Sequence, residues 1–333
     1  MKKLFLIGLA ATVMLTSCSN DETVDMVQSK AIGFESFVNK STRATDITNK
    51  NISKFSVYGF VNSVGGQIFT NETVTGSGTG ANGNWNYTNT QYWTAGQKYY
   101  FSAIAPAENP QWTYEVNNTT AGGIITFANG DGTQDLLYDY SGEIECTEPV
   151  NQGKVGFTFN HLLARVKFNF SNAMPNENTT LVVRNVTIND ANSKATCDVA
   201  NEGKTWELTN DNTKGELVFG NAGTMDNKIT QGTPIATDHK YMIPQNLGYK
   251  LNFVVDMYQG TELVKSFTHT DVDVPVVNMV AGNSYMFTAE LNQDNIGGGE
   301  DEKLYSIKFN VTSVDEWEDW NGNTVTVPDT NQE

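Results

Sequence analysis

Apolar residues at every second position are the feature that most constrains what this chain can fold into. Such alternation places apolar side chains on one face of an extended strand and polar side chains on the other. Clusters of Gly, Asn, Asp and Thr separate the alternating segments, and no helical periodicity is sustained after the first 18 residues. The sequence therefore predicts an all-β protein. The predicted strands are residues 53–60, 99–105, 155–159, 162–170, 181–188, 251–257 and 285–291.

The chain is long enough for two β-sandwich domains. It has 333 residues, of which 38% are hydrophobic, and a sandwich domain typically uses about 100 to 150 residues. Phe157, Phe159 and His161 share one parity, whereas Leu162 and the alternating residues after it share the other. The buried face therefore switches after His161, which requires a bulge, a bend or a domain crossing. We expect domains at residues 44–153 and 154–291, followed by a linker and tail at 292–333.

Charge and motif content exclude several functions. The net charge is −17, and Lys2-Lys3 is the longest basic run, so the chain is not expected to bind nucleic acid. His161, His239 and His269 stand in no metal-ligand or nucleophile motif, and Gly-x-Ser-x-Gly does not occur. Residues 129–140 fail the EF-hand pattern. We expect that the protein is not an enzyme and that it has neither a cofactor nor a metal site.

The N-terminus has the pattern of an export signal. Lys2 and Lys3 precede an apolar run at residues 4–15, which is shorter than the roughly 20 residues of a membrane-spanning helix. The ending Leu15-Thr16-Ser17-Cys18 resembles the bacterial lipoprotein box, which implies that Cys18 becomes the lipidated first residue of the mature protein. The acidic pair after it resembles surface-export signals of Bacteroidota lipoproteins. We expect signal residues 1–18, a leader at 19–43 and an outer-membrane lipoprotein facing outward. An ordinary signal peptide that carries a cysteine is the alternative.

Two further cysteines, Cys146 and Cys197, leave the disulfide question open. An exported chain permits one disulfide bond between them, but with their wide separation and no local framework the sequence does not determine whether they pair. Two separate buried thiols are the alternative.

Four sequence motifs occur in a fixed order along the chain. They are Tyr92-Trp93 with Gly96, Tyr99, Phe101, Ala103 and Pro106; Asp135-Leu136-Leu137-Tyr138; Val155-x-Phe157-x-Phe159-x-His161-x-x-Ala164-Arg165-Val166; and Met242-Ile243-Pro244-Gln245. Together they resemble the fimbrillin family of Bacteroidales, in particular its Mfa-like branch, over roughly residues 31–328. The resemblance implies two tandem transthyretin-like Greek-key β-sandwich domains with a C-terminal strand appendage. It also implies a lipoprotein that polymerises into, anchors or tips a surface fimbria, with other fimbrial subunits as partners.

A strand pattern near the N-terminus fits the assembly mode of that family. Ile32, Phe34 and Val38 share one face of residues 31–38, and a polar segment with Arg43-Ala44 follows. The resemblance implies that an Arg-specific protease cuts between Arg43 and Ala44 and so releases this strand. Removing a strand from a sandwich leaves an apolar groove with unpaired backbone groups, which a strand of another subunit can fill.

The tail provides a matching segment. Tyr305, Ile307, Phe309 and Val311 alternate on one face after the acidic, glycine-rich linker at 292–302. We expect this tail to be separate from the second sandwich and to act as the donor strand. The alternative is that Arg43 is a solvated loop residue and that residues 304–311 form the last strand of their own domain.

A second functional hypothesis is a membrane-anchored surface lipoprotein that binds glycans and does not polymerise. A host glycan or a host protein is a further candidate partner. Aromatic side chains that stack on sugar rings are concentrated in one stretch of the sequence. Core packing explains the same residues equally well. They are Trp85, Tyr87, Tyr92, Trp93, Trp112 and Tyr114.

Overall fold

The computed structural model describes residues 30–38, 47, 51–78, 83–116, 122–147, 152–200, 204–208, 213–297, 306–314 and 325–326. Cys18, Arg43, Ala44 and Tyr305 lie outside the described residues. Within these ranges the chain forms 21 strands and one helix, α1 at Gln293–Ile296. The prediction of an all-β sandwich protein is confirmed, whereas the division into two tandem domains stays a prediction.

Sheet A has seven strands in the order β1-β9-β8-β5-β2-β3-β4. Both faces of its interior strand β2 are buried, because Phe55 and Val57 enter one core while Tyr58 and Phe60 enter another. Strands are numbered along the chain, and those of sheet A are β1 (Phe34–Val38), β2 (Lys54–Val61), β3 (Ser63–Ser77), β4 (Asn84–Asn86), β5 (Lys98–Ala105), β8 (Leu137–Glu145) and β9 (Val155–His161).

Sheet B covers one face of sheet A and has the order β13-β12-β7-β6. Phe60 of sheet A packs in one cluster with Phe127 and Cys197 of sheet B. The hairpin β12–β13 follows sheet A in sequence by many residues, yet β12 pairs antiparallel with β7. The strands of sheet B are β6 (Trp112–Val116), β7 (Gly123–Ala128), β12 (Lys194–Asp198) and β13 (Thr205–Leu208).

Sheets C and D form a second sandwich, with the orders β15-β10-β19-β20-β21 and β14-β11-β17-β18; β16 also pairs with β10. Phe168, Phe287, Leu181 and Val255 lie in the core between them. Sheet C contains β10 (Ala164–Asn172), β15 (Ile235–Ala236), β16 (Lys240–Met242), β19 (Ser284–Leu291), β20 (Phe309–Val314) and β21 (Val325–Thr326). Sheet D contains β11 (Thr179–Asn192), β14 (Lys214–Ala222), β17 (Asn246–Gln259) and β18 (Glu262–Asn278).

The expected boundary at residue 154 is misplaced, because β9 pairs with β1 and β8 inside sheet A. The chain passes to sheet C at Leu162 and Leu163, where the switch of the buried face was predicted. Phe157 and Phe159 enter the core of sheet A, whereas Val166 enters the core between sheets C and D. Strands β12 and β13 also lie after residue 154 in the sequence, but they belong to sheet B, which packs on sheet A.

The tail is not separate from the second sandwich in the single chain. β20 pairs antiparallel with β19, and Ile307 and Phe309 are buried in the core between sheets C and D. The physical reason is that an alternating apolar strand beside an open sheet edge loses water-exposed area by docking there. The donor role of this strand stays a prediction.

Cys146 and Cys197 are separate, buried thiols. They belong to the cores on the two opposite faces of sheet A. Burial raises the pKa of Cys197 to about 12, so this thiol stays protonated and unreactive at neutral pH.

Candidate assembly site

Residues 30–38, which we call the closing segment, complete sheet A. Its strand β1 runs parallel to β9, with Phe34 opposite Val155 and Val38 opposite Phe159. The Val155 backbone N–H donates to the Gly33 carbonyl at 2.8 Å. This side of the closing segment is therefore held by a regular ladder of five residue pairs.

The other side of the closing segment meets residues 91–93, which follow β4 at the opposite edge of sheet A. The Ile32 N–H donates to the Gln91 carbonyl at 2.8 Å, and the Trp93 N–H donates to the Lys30 carbonyl at 2.9 Å. The Tyr87 hydroxyl donates to the Ile32 carbonyl at 2.6 Å. Because it contacts both edges, the closing segment joins the two ends of sheet A.

Side chains of the closing segment fill the core that sheet A encloses. Ile32, Phe34 and Val38 are all buried, and Phe34 is 1% exposed. The ring of Phe34 packs against five other aromatic rings at centroid distances between 5.3 and 6.5 Å. These rings belong to Phe55, Phe69, Tyr87, Phe101 and Phe157.

Loss of the closing segment would leave a defined groove. Each buried side chain of this size contributes roughly 1.5 to 3 kcal/mol by its removal from water. The backbone groups of Gln91 and Val155 that bond to the segment would lose their partners, and buried groups without partners are costly. A strand with apolar side chains at the same spacing would restore both the apolar burial and the backbone hydrogen bonds.

The tail carries that spacing. Ile32-Gly33-Phe34 in the closing segment and Ile307-Lys308-Phe309 before and in β20 share the pattern Ile-x-Phe. The ring of Phe309 lies 5.7 Å from Phe168. In the single chain the tail therefore buries the same pair of residue types that the groove holds. The repeated pattern was visible in the sequence, whereas the role of residues 91–93 was not.

The aromatic stretch does not form an open platform. Trp85, Trp93 and Trp112 are buried in the cores, and Trp112 Nε1–H donates to the Pro106 carbonyl at 2.9 Å. Tyr92 is 52% exposed and stands beside the closing segment. These side chains therefore serve mainly as core and not as a stacking surface.

The histidine at the register switch has a structural position. His161 Nδ1 lies 2.8 Å from Asp135 Oδ2, and both side chains are buried. The Leu136 N–H donates to Asp135 Oδ1, and the Leu162 N–H donates to the Leu136 carbonyl, both at 2.8 Å. This bonding ties β8 to the passage between sheets A and C.

Within the described ranges, no group of three or more His, Cys, Asp or Glu side chains is placed to hold a metal ion. The part of the chain that the structure describes also contains no helix with the length and apolarity to cross a membrane.

Sheet A is completed by a segment close to the N-terminus, and sheet C includes a buried alternating strand close to the C-terminus. These features define a β-sandwich protein. Residues 42–312 match the fimbrillin-like family, and the chain belongs to this family. Membership supports a structural, non-enzymatic role in fimbriae at the cell surface. No curated protein matches the chain.

Solved structures share the fold. A fimbrial protein from Bacteroides vulgatus ATCC 8482 superposes with a TM-score of 0.61 at 20% identity, covering 86% of this chain and 99% of that one. A candidate cell adhesion protein from Bacteroides uniformis ATCC 8492 has a TM-score of 0.50 at 17% identity, covering 86% and 98%. At these identities the likeness concerns the fold alone.

Proposed function

We propose that this protein is a fimbrial subunit in which the closing segment is exchanged for a strand of another subunit. The observation that carries the proposal is the position of residues 30–38 between two edges of one sheet. A segment in this position can leave without breaking the order of the other strands, and its departure opens a groove that requires a new strand.

Proteolysis is the step that permits the exchange. The closing segment is bonded on both sides and its Phe34 lies among five rings, so its spontaneous loss from an intact chain is rare. Cleavage between Arg43 and Ala44 by an Arg-specific protease makes its loss irreversible, since the strand is then no longer tethered to sheet A. Cleavage also separates the protein from the lipid on Cys18, which holds the precursor at the outer membrane until assembly.

The tail supplies the replacing strand. Ile307 and Phe309 leave their own core and take the positions of Ile32 and Phe34 in the groove of a neighbour, while Tyr305 and Val311 extend the apolar face. The apolar area that the tail loses on leaving β19 is recovered in the groove. The groove itself, which is unstable when empty, provides the net driving force.

The cleavage step is tested with Arg43→Ala and the matched control Lys40→Ala, which removes a nearby positive charge from the same polar segment. We expect surface protein from the wild type and from the control to begin at Ala44 and to form polymers. Arg43→Ala is expected to accumulate as a lipidated monomer, because its closing segment stays in place. N-terminal sequencing and gel analysis of unheated surface material measure both properties. Normal polymers from Arg43→Ala would contradict the proposal.

The alternative, an anchored glycan-binding lipoprotein, has less support. Its aromatic residues are mostly buried, and Tyr92 offers a single exposed ring. A wild-type protein that stays lipidated and monomeric on cells would favour this alternative.

A further inference from the structure

The first strand of the second sandwich, β10, and the last strand before the tail, β19, lie side by side and run in the same direction. β10 follows directly after Leu162 and Leu163, and β19 is the last strand before α1 and the tail. The two strands form eight parallel residue pairs, from Arg165 opposite Ser284 to Asn172 opposite Leu291. Force transmitted along the chain therefore enters this sandwich on one strand and leaves on its direct neighbour.

Strand direction decides how such a pair responds to tension. A pull on Ala164 and on Leu291 acts at opposite ends of two parallel strands, so the strands are forced to slide along each other. All of their hydrogen bonds then share the load and must break together. An antiparallel hairpin pulled apart at its open end loses its pairs one after another. Resistance to forced unfolding is a matter of rate, and this difference changes the barrier.

Both ends of the parallel pair are fixed by further contacts. At the first end, Arg165 is fully buried and its Nε–H donates to Ser284 Oγ at 2.8 Å, while the Arg165 N–H donates to the Asn283 carbonyl at 2.9 Å. At the other end the Ala173 N–H donates to the Leu291 carbonyl at 2.8 Å. Between them the rings of Phe168 and Phe287 stack 5.5 Å apart.

We propose that β10 and β19 form a force-bearing clamp, and that β20, together with its neighbour β21, separates from the sheet before the clamp does when the tail is pulled. β20 runs antiparallel to β19, so Val314 lies opposite Ser284, at the end of sheet C where β10 begins. When the tail is pulled while Ala164 is held, β20 therefore separates from β19 one residue pair at a time, from Val314 to Phe309. The load then passes to Leu291 and reaches the clamp in the sliding geometry.

This arrangement lets the tail leave while the sandwich behind it holds. Sheet A repeats the geometry, since β1 and β9 are parallel neighbours. If the proposed function holds, a donor strand that enters in the direction of β1 is also loaded in the sliding geometry. The clamp itself does not depend on strand exchange.

Single-molecule pulling on the full chain tests the clamp through the choice of attachment points. Handles at Asn160 and Gln293 load β10 against β19 in the sliding geometry. Handles at the exposed Asn246 and Asn278, which face each other at the open end of the hairpin β17–β18, provide the unzipping control. At one pulling speed we expect the rupture force measured with the Asn160 and Gln293 handles to be at least about two-fold higher than that measured with the Asn246 and Asn278 handles. Equal rupture forces, or a lower force with the Asn160 and Gln293 handles, would overturn the clamp.

The order of yielding is tested with handles at Asn160 and at the C-terminus. Before the high-force event we expect a low-force step that releases the part of the chain after Leu291. Its extension should correspond to roughly 3.3 to 3.6 Å per released residue. A high-force event without that earlier step would overturn the role of β20. Ser284→Ala removes the acceptor of Arg165 and is expected to lower the sliding force but not the unzipping force. Single chains are measured, so these outcomes do not depend on polymerisation.

Discussion

The two strands that the assembly proposal exchanges are held in different ways. The closing segment has backbone partners on both sides, in β9 and in residues 91–93. β20 has one long partner, β19, and meets β21 through only two residue pairs, Thr312 with Thr326 and Ser313 with Val325. Both strands bury an Ile-x-Phe pair, so the side chains alone do not distinguish them.

This comparison teaches that backbone pairing with two separate parts of the sheet, and not apolar content, distinguishes the closing segment from β20. The closing segment joins both ends of sheet A, and its exit costs the five-pair ladder with β9 and the two backbone hydrogen bonds with residues 91–93. The second neighbour of β20 is β21, which follows it in the same tail and would leave with it, so the exit of the tail costs only the ladder with β19. The assembly proposal accordingly places proteolysis at one end of the chain and not at the other.

The largest expected effect is that of Phe34→Ala. Phe34 is 1% exposed and contacts five rings, so we expect a loss of about 4 kcal/mol in unfolding free energy. Urea denaturation followed by the fluorescence of Trp85 and Trp93, which lie in the same core, measures it. Phe37→Ala is the matched control, because Phe37 is in the same strand but 43% exposed; its loss should stay below about 1 kcal/mol. Similar losses for both would contradict the role of the closing segment in the core.

Phe309→Ala is expected to cost somewhat less, about 3 kcal/mol. Phe309 is 6% exposed and packs against three phenylalanine rings, and its strand has freedom to adjust at the sheet edge. Hydrogen exchange of the β19 amides should accelerate while that of β2 stays unchanged. The exposed neighbour Asn310 provides the control as Asn310→Ala. A loss larger than that of Phe34→Ala would reverse the comparison between the two strands.

The smallest expected effect is a pH dependence confined to the sandwich that holds β20. Burial lowers the pKa of His269 below its ordinary value of 6.5, and the ring stacks on Phe253 at 5.0 Å. As the pH drops below 6.5, the unfolded chain takes up a proton on His269 that the folded chain does not. The free energy of unfolding therefore decreases as the pH is lowered, until the pH passes below the pKa of the folded state. We expect His269→Gln to flatten this decline in thermal melts of sheets C and D. An unchanged decline would remove His269 as its source.

The sequence predicted much of the fold because alternation is a local signal. The predicted strands 53–60 and 285–291 correspond to β2 at Lys54–Val61 and β19 at Ser284–Leu291. The long strand β18 was not predicted, since most of its residues are exposed and it lacks a regular apolar face. Burial, which creates the alternating pattern, is weak at that edge of sheet D.

The candidate site was predicted in its residues but not in its geometry. The buried face of Ile32, Phe34 and Val38 followed from their spacing. The contact with residues 91–93 did not follow from the sequence, and the docking of Ile307 and Phe309 on the chain's own core was one of two alternatives that the sequence left open. Both depend on which strands become neighbours, and no local pattern encodes that choice.

By itself, the sequence determined which residues are extended and where the buried face switches, because each depends on side chains a few positions apart. Only the tertiary structure decided that β1 joins β9 in parallel, that β12–β13 returns to sheet B and that β10 lies beside β19. These pairings join distant parts of the chain, and they follow from how whole apolar faces pack to exclude water. The direction of each pair follows from the same packing, and the proposed force-bearing clamp depends on that direction.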